Sequence, residues 1–295
     1  MAYESALRDP EFDTPGTSKG LFSVFRYRYL LSLLLRKGVI TRYYGSALGW
    51  AWSYIRPLAQ FFMYYVVIGI LLGVSRSVQF FPVYLFSGII FINLFSETFR
   101  NTTDAVLGNK ALIRKIYLPR ELFPVAAAGG AVIHFLPQIA VLFIVCLFNG
   151  WTFSWAQPLA LVGAIVITVV FALGLGLFFG AFNVLYRDSR NFVDLILMFA
   201  TWTSPVLYTF ETVKNRAPDW LYHIYMANPV TTAVELSHTT FWEPIAVAAA
   251  EPGTIVARPD MLLMNGFIGI GIAIVTLVIG QLVFSKMEGQ FAQNL

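Results

Sequence analysis

From Leu122 to Tyr186 the chain carries no Asp, Glu, Lys or Arg, and from Met261 to Ser285 it again carries none. A bilayer core of ~30 Å is crossed by about 20 apolar residues in helical form. The first run therefore predicts two membrane-spanning helices and the second run one more. A turn inside the long run is marked by Asn149-Gly150-Trp151 through Gln157-Pro158, with Trp151 and Trp155 suited to a membrane interface. Charged residues bracket three further apolar stretches: Pro57–Ser75 between Arg56 and Arg76, Ser77–Ser96 between Arg76 and Glu97, and Leu195–Phe210 between Asp194 and Glu211. The pattern predicts an all-α polytopic membrane protein with six spans, at about 53–75, 78–98, 121–148, 157–183, 191–210 and 262–284. These form one transmembrane domain over 19–295, behind a disordered lead over 1–18 that is polar and holds Pro and Gly.

Three segments between the spans carry patterns of their own. Over 21–40, Phe22, Phe25, Tyr29 and Leu33 recur at helical spacing while Arg26, Arg28, Arg36 and Lys37 break the apolar run. Too charged to cross, this stretch predicts an amphipathic helix lying in the membrane interface. Between the second and third spans, Thr103 or Asp104 suits a helix cap, and Leu112 and Ile116 share one face. That predicts a short helix on the cytosolic side, a pattern equally satisfied by a basic loop. The long connection over 211–260 holds an apolar patch from Trp220 to Met226, and then Asn228-Pro229, a cap followed by a proline at the first helical position. Two short helices broken there fit either a re-entrant pair or a hairpin lying on the surface.

Composition agrees with a membrane protein: 58% of residues are hydrophobic and 12% charged, against about half and a quarter in soluble domains. Of the 20 Lys and Arg residues, Arg76, Lys214, Arg216 and Arg258 fall on one side of the six-span arrangement and all others on the side of the termini. Basic residues stay inside, so both termini are expected in the cytosol. The first apolar run is flanked by basic residues on both sides, with no small-residue cleavage site, so no removable signal peptide is expected.

Catalytic patterns are missing from the sequence. No glycine is followed by lysine, so there is no phosphate-binding G-x-x-x-x-G-K-[S/T] loop. His134, His223 and His238 lack partners at metal-ligand spacing, and no paired-aspartate cluster occurs. His134, Gln138 and Asn183 are polar groups within or near spans, read here as helix-pairing contacts. Aromatic residues make up 16% of the chain. They crowd the first span, where Trp50, Trp52, Tyr54, Phe61, Tyr64 and Tyr65 lie, and the fifth, where Phe199 and Trp202 lie. Aromatic faces stack on the C–H faces of sugars, so such groups suit a glycan path as well as ordinary packing.

Arg42 to Pro57, with the sequence RYYGSALGWAWSYIRP, resembles the entrance to the first span in membrane subunits of ABC-2 type polysaccharide exporters. Asn109 to Pro124, NKALIRKIYLPRELFP, is similar to their cytosolic coupling segment. Tyr186-Arg187-Asp188, Ser204-Pro205 with Tyr208, and Asn228-Pro229 follow in the same order. The resemblance covers roughly Leu21 to the C-terminus and implies the O-antigen, teichoic-acid and galactan export group. In that group two copies of such a subunit pair with two ABC-type ATPase subunits in the bacterial cytoplasmic membrane and move a polyprenyl-diphosphate-linked polysaccharide outward. No cofactor is then expected on this chain, since ATP and Mg would bind the partner ATPase.

By that resemblance Asp104, Lys110, Arg114, Lys115 and Tyr117 couple to the ATPase, and Trp220, Tyr225, Asn228 and Pro229 belong to an outer gate. Charge complementarity assigns Arg26, Arg28, Arg42 and Arg56 to the place where the anionic lipid head enters. A drug or lipid exporter permease of the same fold is the alternative, and a membrane acyl- or glycosyltransferase the more remote one.

Overall fold

The computed structural model describes residues 20–42, 44–115, 118–186, 188–250, 256 and 258–294. The lead over 1–18 and Tyr117 lie outside the described residues, as do Tyr43, Ile116 and Arg187. Among the described residues the regular elements are all helical. A helical turn, Leu21–Val24, leads through Phe25–Tyr27 into α1 (Arg28–Arg42). There follow α2 (Trp52–Tyr64), which continues as π-helix through Tyr65–Leu71, α3 (Phe81–Gly108), α4 (Leu122–Phe148), α5 (Ala156–Leu185) and α6 (Ser189–Trp202). The C-terminal half holds α7 (Phe210–Arg216), α8 (Asp219–Ala227), α9 (Pro229–Ala249) and α10 (Leu262–Asn294).

Five helical stretches are long and apolar enough to cross a membrane: Gly49–Leu71, Phe81–Gly108, Leu122–Phe148, Ala156–Leu185 and Leu262–Gly289. These carry five of the six spans expected from the charge pattern. The remaining one, expected over 191–210, is helical only through Ser189–Trp202. Pro205 has no N–H to donate and drives Ser204 away from the helical region, so the chain turns there. The Ser204 hydroxyl instead donates to the Ala200 carbonyl, 2.6 Å away. The segment nevertheless follows α3 for most of its length. Arg190 Nε lies 2.7 Å from Asp104 Oδ1 near one end of α3. Near the other end, the Tyr84 hydroxyl donates to the carbonyls of Pro205 at 2.9 Å and Tyr208 at 3.0 Å. Asp104 and Tyr84 stand 20 residues apart on one helix, or about 30 Å.

The expected short helix from Asp104 onward is corrected by the structure. Thr103 and Asp104 sit inside the last turns of α3, which runs without a break to Gly108, and only Lys110–Ile113 forms a separate helical turn. The threonines cap nothing: Thr102 donates to the Thr98 carbonyl at 2.7 Å and Thr103 to the Phe99 carbonyl at 2.9 Å, back along their own helix. Charge marks the end of an apolar run, whereas a helix continues wherever its charges find lateral partners.

The core is built around α3, which is buried on most faces by α5, α4 and α9. α5 and α10 make the closest approach, at Gly174 and Gly280: a Cβ added at Gly280 would sit 2.1 Å from the Gly174 carbonyl oxygen. α1 rests on α4, where Gly129 leaves room for Leu35. Its Tyr29, Leu33 and Ile40, and Phe25 just before it, stay exposed, an apolar surface unusual outside a membrane or an interface.

α9 is mostly buried. The Asn228 side chain accepts from the Val230 N–H at 3.0 Å and Pro229 occupies the first turn, so the expected cap and break are both present. The helix runs on to Ala249, past the expected end near Trp242. Trp242 Nε1 donates to the Gln79 carbonyl, and Trp151 Nε1 to the Thr240 carbonyl. Those contacts bind its later turns to the α2–α3 and α4–α5 connections, which lie at one end of the bundle. Its first turns go deeper, with Thr231 donating to the Thr203 carbonyl and Thr232 beside Gly269 of α10.

Candidate functional site

Along α3 from Val83 to Val106, every residue is buried except Asn93, Ser96, Glu97, Arg100, Asn101 and Asp104. All six are polar, and their three- and four-residue spacing places them in one stripe on the helix. α2 packs against α3 on one side and α6 on another, and cavities open beside both contacts. A cavity of about 380 Å³ lies between α2 and the stripe, lined by Trp52, Arg56 and Gln60 opposite Asn93, Ser96, Glu97 and Arg100. Another of about 280 Å³ lies between the stripe and α6, where Arg100 and Asp104 face Arg190 and Asp194. A third, about 550 Å³, separates α1 from α3 and α4 and shares Arg42, Asn101 and His134 with the first. The result is a polar groove that opens along the surface of an otherwise apolar bundle.

Charges in the groove are arranged by pairing. Arg42, at the end of α1, donates to Glu97 of α3, and His134 Nδ1 of α4 lies 2.9 Å from the same Glu97 oxygen. This contact ties α1 to the bundle, and the edge of the Trp50 ring closes over His134 at 6.1 Å. On the opposite side α3 and α6 run antiparallel and exchange charges, with Arg100 to Asp194 and Arg190 to Asp104, each at 2.7 Å. Asn183 of α5 donates to the same Asp104 oxygen at 3.1 Å. Arg56 has its guanidinium over Trp52, 6.0 Å from the ring centre.

The exchange predicts a charge-swap result. Arg100→Asp or Asp194→Arg alone is expected to lower the melting temperature of the purified protein by a few degrees. The double exchange should restore most of the loss. The pair is more than half exposed, so its worth is held to ~0.2–1 kcal/mol. A double mutant no more stable than the singles would show that the pair does not act as a unit.

The structure sorts the residues expected from sequence. Arg42 and Arg56 line the same groove, joined by Arg100, whereas Arg28 is exposed at the far end of α1, about 21 Å away along the helix, and Arg26 is exposed just before it. Among the aromatics, Phe61 stacks on Tyr65 at 5.8 Å and meets the Phe86 ring edge-on, and Tyr65 stacks on Phe81. Tyr64 is half-buried against the core, and Tyr54 is half-buried. Trp50, Trp52, Phe199 and Trp202 keep large exposed faces. Lys110, Arg114 and Lys115 lie on the connection after α3, with Lys110 and Lys115 exposed, and Asp104 sits apart from them in its ion pair with Arg190. Trp220 is exposed on α8, while Tyr225 is half-buried with its ring 6.5 Å from Tyr208. On α7 a hydrogen bond from Lys214 to Asp260 holds the ammonium pKa above its ordinary value.

Sequence reasoning missed Asn93, Ser96, Asn101, Gln60 and Arg100 as parts of one surface. The available signal was the helical spacing of polar residues in a stretch read as a span followed by a loop.

Residues 29–242 match the ABC-2 type transporter family. An O-antigen export system permease protein, RfbA, from Klebsiella pneumoniae is 27% identical over 270 residues, covering 90% of this chain and 95% of that protein. The RfbA of Myxococcus xanthus is 23% identical, covering 82% of this chain and 90% of its own length. The polysialic acid transport protein KpsM of Escherichia coli is 23% identical, covering 70% and 78% respectively.

Proposed function

Since the chain belongs to the ABC-2 type transporter family, we propose that its α3 groove is half of a path for a lipid-linked polysaccharide driven outward by ATP. The chain is the transmembrane subunit of a polysaccharide ABC exporter, and ATP hydrolysis belongs to a separate ATPase chain. The observation that carries the reading is the polar stripe from Asn93 to Asp104. A row of polar and charged groups facing lipid is costly, so such a surface calls for water, a polar substrate or a second protein surface.

A second copy of the chain, laid groove to groove, closes the stripe into a lumen. Exposed Trp50 and Trp52 on one wall and Phe199 and Trp202 on the other present stacking faces to sugars passing between them. Arg42, Arg56 and Arg100 receive the diphosphate of a polyprenyl carrier, with O-antigen-like or galactan polymers as the cargo class. The climb of residues 189–209 beside α3 supplies a sixth crossing, which returns both termini to the cytosol in the inner membrane of a bacterium. On that reading α1 lies in the inner leaflet, and α8 and α9 are a re-entrant pair at the outer face, with Asn228-Pro229 at its deepest point.

The connection carrying Lys110, Arg114 and Lys115 is the docking surface for the ATPase. Reversing all three charges is expected to reduce co-purification of the ATPase with the tagged subunit at least fivefold, while the subunit still elutes as a single species. Undiminished co-purification would move the docking surface elsewhere. Failure of the unaltered subunit to retain any ATPase in mild detergent would count against the exporter itself.

A further inference from the structure

At the outer end of the bundle, away from the α3 stripe, lies a separate cavity of about 250 Å³. Its walls come from the α2–α3 connection, the turn before α7, and α9. Glu235 of α9 and Glu211 of α7 supply carboxylates, Trp242 and Tyr84 supply aromatic surface, and Gln79 and Thr209 supply neutral polar groups. None of the described residues lining it is basic.

Glu235 is the informative member. It is only 3% exposed, and its Oε1 has no hydrogen-bond partner. A buried carboxylate oxygen without a donor is costly, and a ligand carrying donors would remove that cost. Its other oxygen lies 3.7 Å from His238 Nδ1. The His238 ring stacks on Tyr84 at 3.8 Å, and its Nε2 points at the Tyr84 carbonyl, 3.2 Å away. A carbonyl can only accept, so Nε2 carries the proton there. The imidazole is therefore held from two sides, and its Nδ1, 3.7 Å from the nearer Glu235 oxygen, makes no hydrogen bond to it, so the Glu235 carboxylate is left for a ligand.

What ligand suits such a cavity follows from its chemistry. An anion is disfavoured by the two carboxylates and by the lack of a basic residue among the described lining. A metal ion is disfavoured, because no group of three or more His, Cys, Asp or Glu suited to a metal occurs among the described residues. A neutral ring bearing several hydroxyls fits: carboxylates accept from neighbouring hydroxyls while an indole covers a C–H face. We propose that this cavity is an outer-face subsite for one sugar ring of the exported polymer, with Glu235 and Glu211 accepting from its hydroxyls and Trp242 against its apolar face. The proposal rests on the polysaccharide-export reading and adds to it a place where the leaving polymer is held after it clears the groove. It also makes the connections around the cavity part of substrate handling, since Trp242 is fixed by its bond to Gln79.

The test is saturation-transfer NMR on the full chain in phosphatidylcholine nanodiscs free of glycolipid, with its ATPase bound. The probes are the methyl glycosides of galactose, glucose and mannose. At least one should receive saturation from the protein. Glu235→Gln should weaken that binding roughly tenfold, the scale of one charge-assisted hydrogen bond. Glu211→Gln, at an exposed position, should weaken it too, and serves if the Glu235 variant does not accumulate. Protein that retains its ATPase but takes up none of the three glycosides would overturn the subsite and leave the exporter reading intact. Equal transfer in the wild type and both variants would also overturn it. So would terbium luminescence sensitised by tryptophan and lost in Glu235→Gln, which would reveal a cation site instead. A wild-type subunit that neither retains an ATPase nor supports export would fail the exporter reading, and the subsite with it.

Discussion

Gly280→Leu is expected to abolish accumulation of the folded protein, leaving no monodisperse peak on size exclusion from membranes that yield wild type well. The helices α5 and α10 share the most extensive contact in the bundle, and they approach at glycines on both sides. A Cβ at Gly280 would fall 2.1 Å from the Gly174 carbonyl oxygen, and one at Gly174 would fall 2.6 Å from the Leu277 amide nitrogen. Both obstacles are backbone, so no rotamer change relieves them. Overpacking in soluble cores costs about 1–3 kcal/mol when side chains can shift. Here two helices must separate, which forfeits contacts along their length and exceeds that range. Even Gly280→Ala should lower the melting temperature by several degrees. Gly271→Leu is the control: it lies on the same helix, is exposed, and meets nothing within 4 Å of its added Cβ. A Gly280→Leu protein that behaved like the control would mean that α5 and α10 do not meet there.

The long helices were legible because lipid exposure and burial both demand apolar residues, so a charge-free run reports a membrane helix whatever it packs against. That is why α4, α5 and α10 begin within a residue or two of their expected starts. The break at Asn228-Pro229 was legible for a local reason: a side-chain cap and a proline in the first turn act within a few residues. The end of α3 and the extent of α6 were not legible, because both depend on distant partners. Glu97, Arg100 and Asp104 look like a boundary in sequence. In the fold they are met by Arg42 and His134, Asp194, and Arg190 respectively, residues contributed by three other helices. The same dependence hid the groove. Aromatic density pointed to α2 and α6, and those helices do flank it, with Phe61 and Tyr65 stacked on each other and Tyr65 on Phe81 of α3. The polar face itself belongs to α3.

Asn93→Leu combined with Ser96→Leu is expected to reduce export of polysaccharide at least tenfold while leaving the amount of subunit and its ATPase association unchanged. Both residues are half-exposed at the Asn93 end of the stripe, and neither belongs to the ion pairs that hold α1 and α6. Neither side chain makes a hydrogen bond to another among the described residues, and leucine on a half-exposed helical position in a membrane is well tolerated. The loss should therefore fall on passage rather than on folding. Replacing two adjacent polar groups with branched apolar ones leaves passing hydroxyls without partners where water is scarce, at about 1–3 kcal/mol for each unmade hydrogen bond. A barrier raised by two such terms slows transport by one to several orders of magnitude at 1.4 kcal/mol per tenfold. Surface polysaccharide at steady state, measured against subunit abundance in the same cells, separates the outcomes. Wild-type export from the double mutant would place the path elsewhere and leave the stripe as a face for a second protein surface. Export lost together with the ATPase would instead make Asn93 and Ser96 part of the assembly.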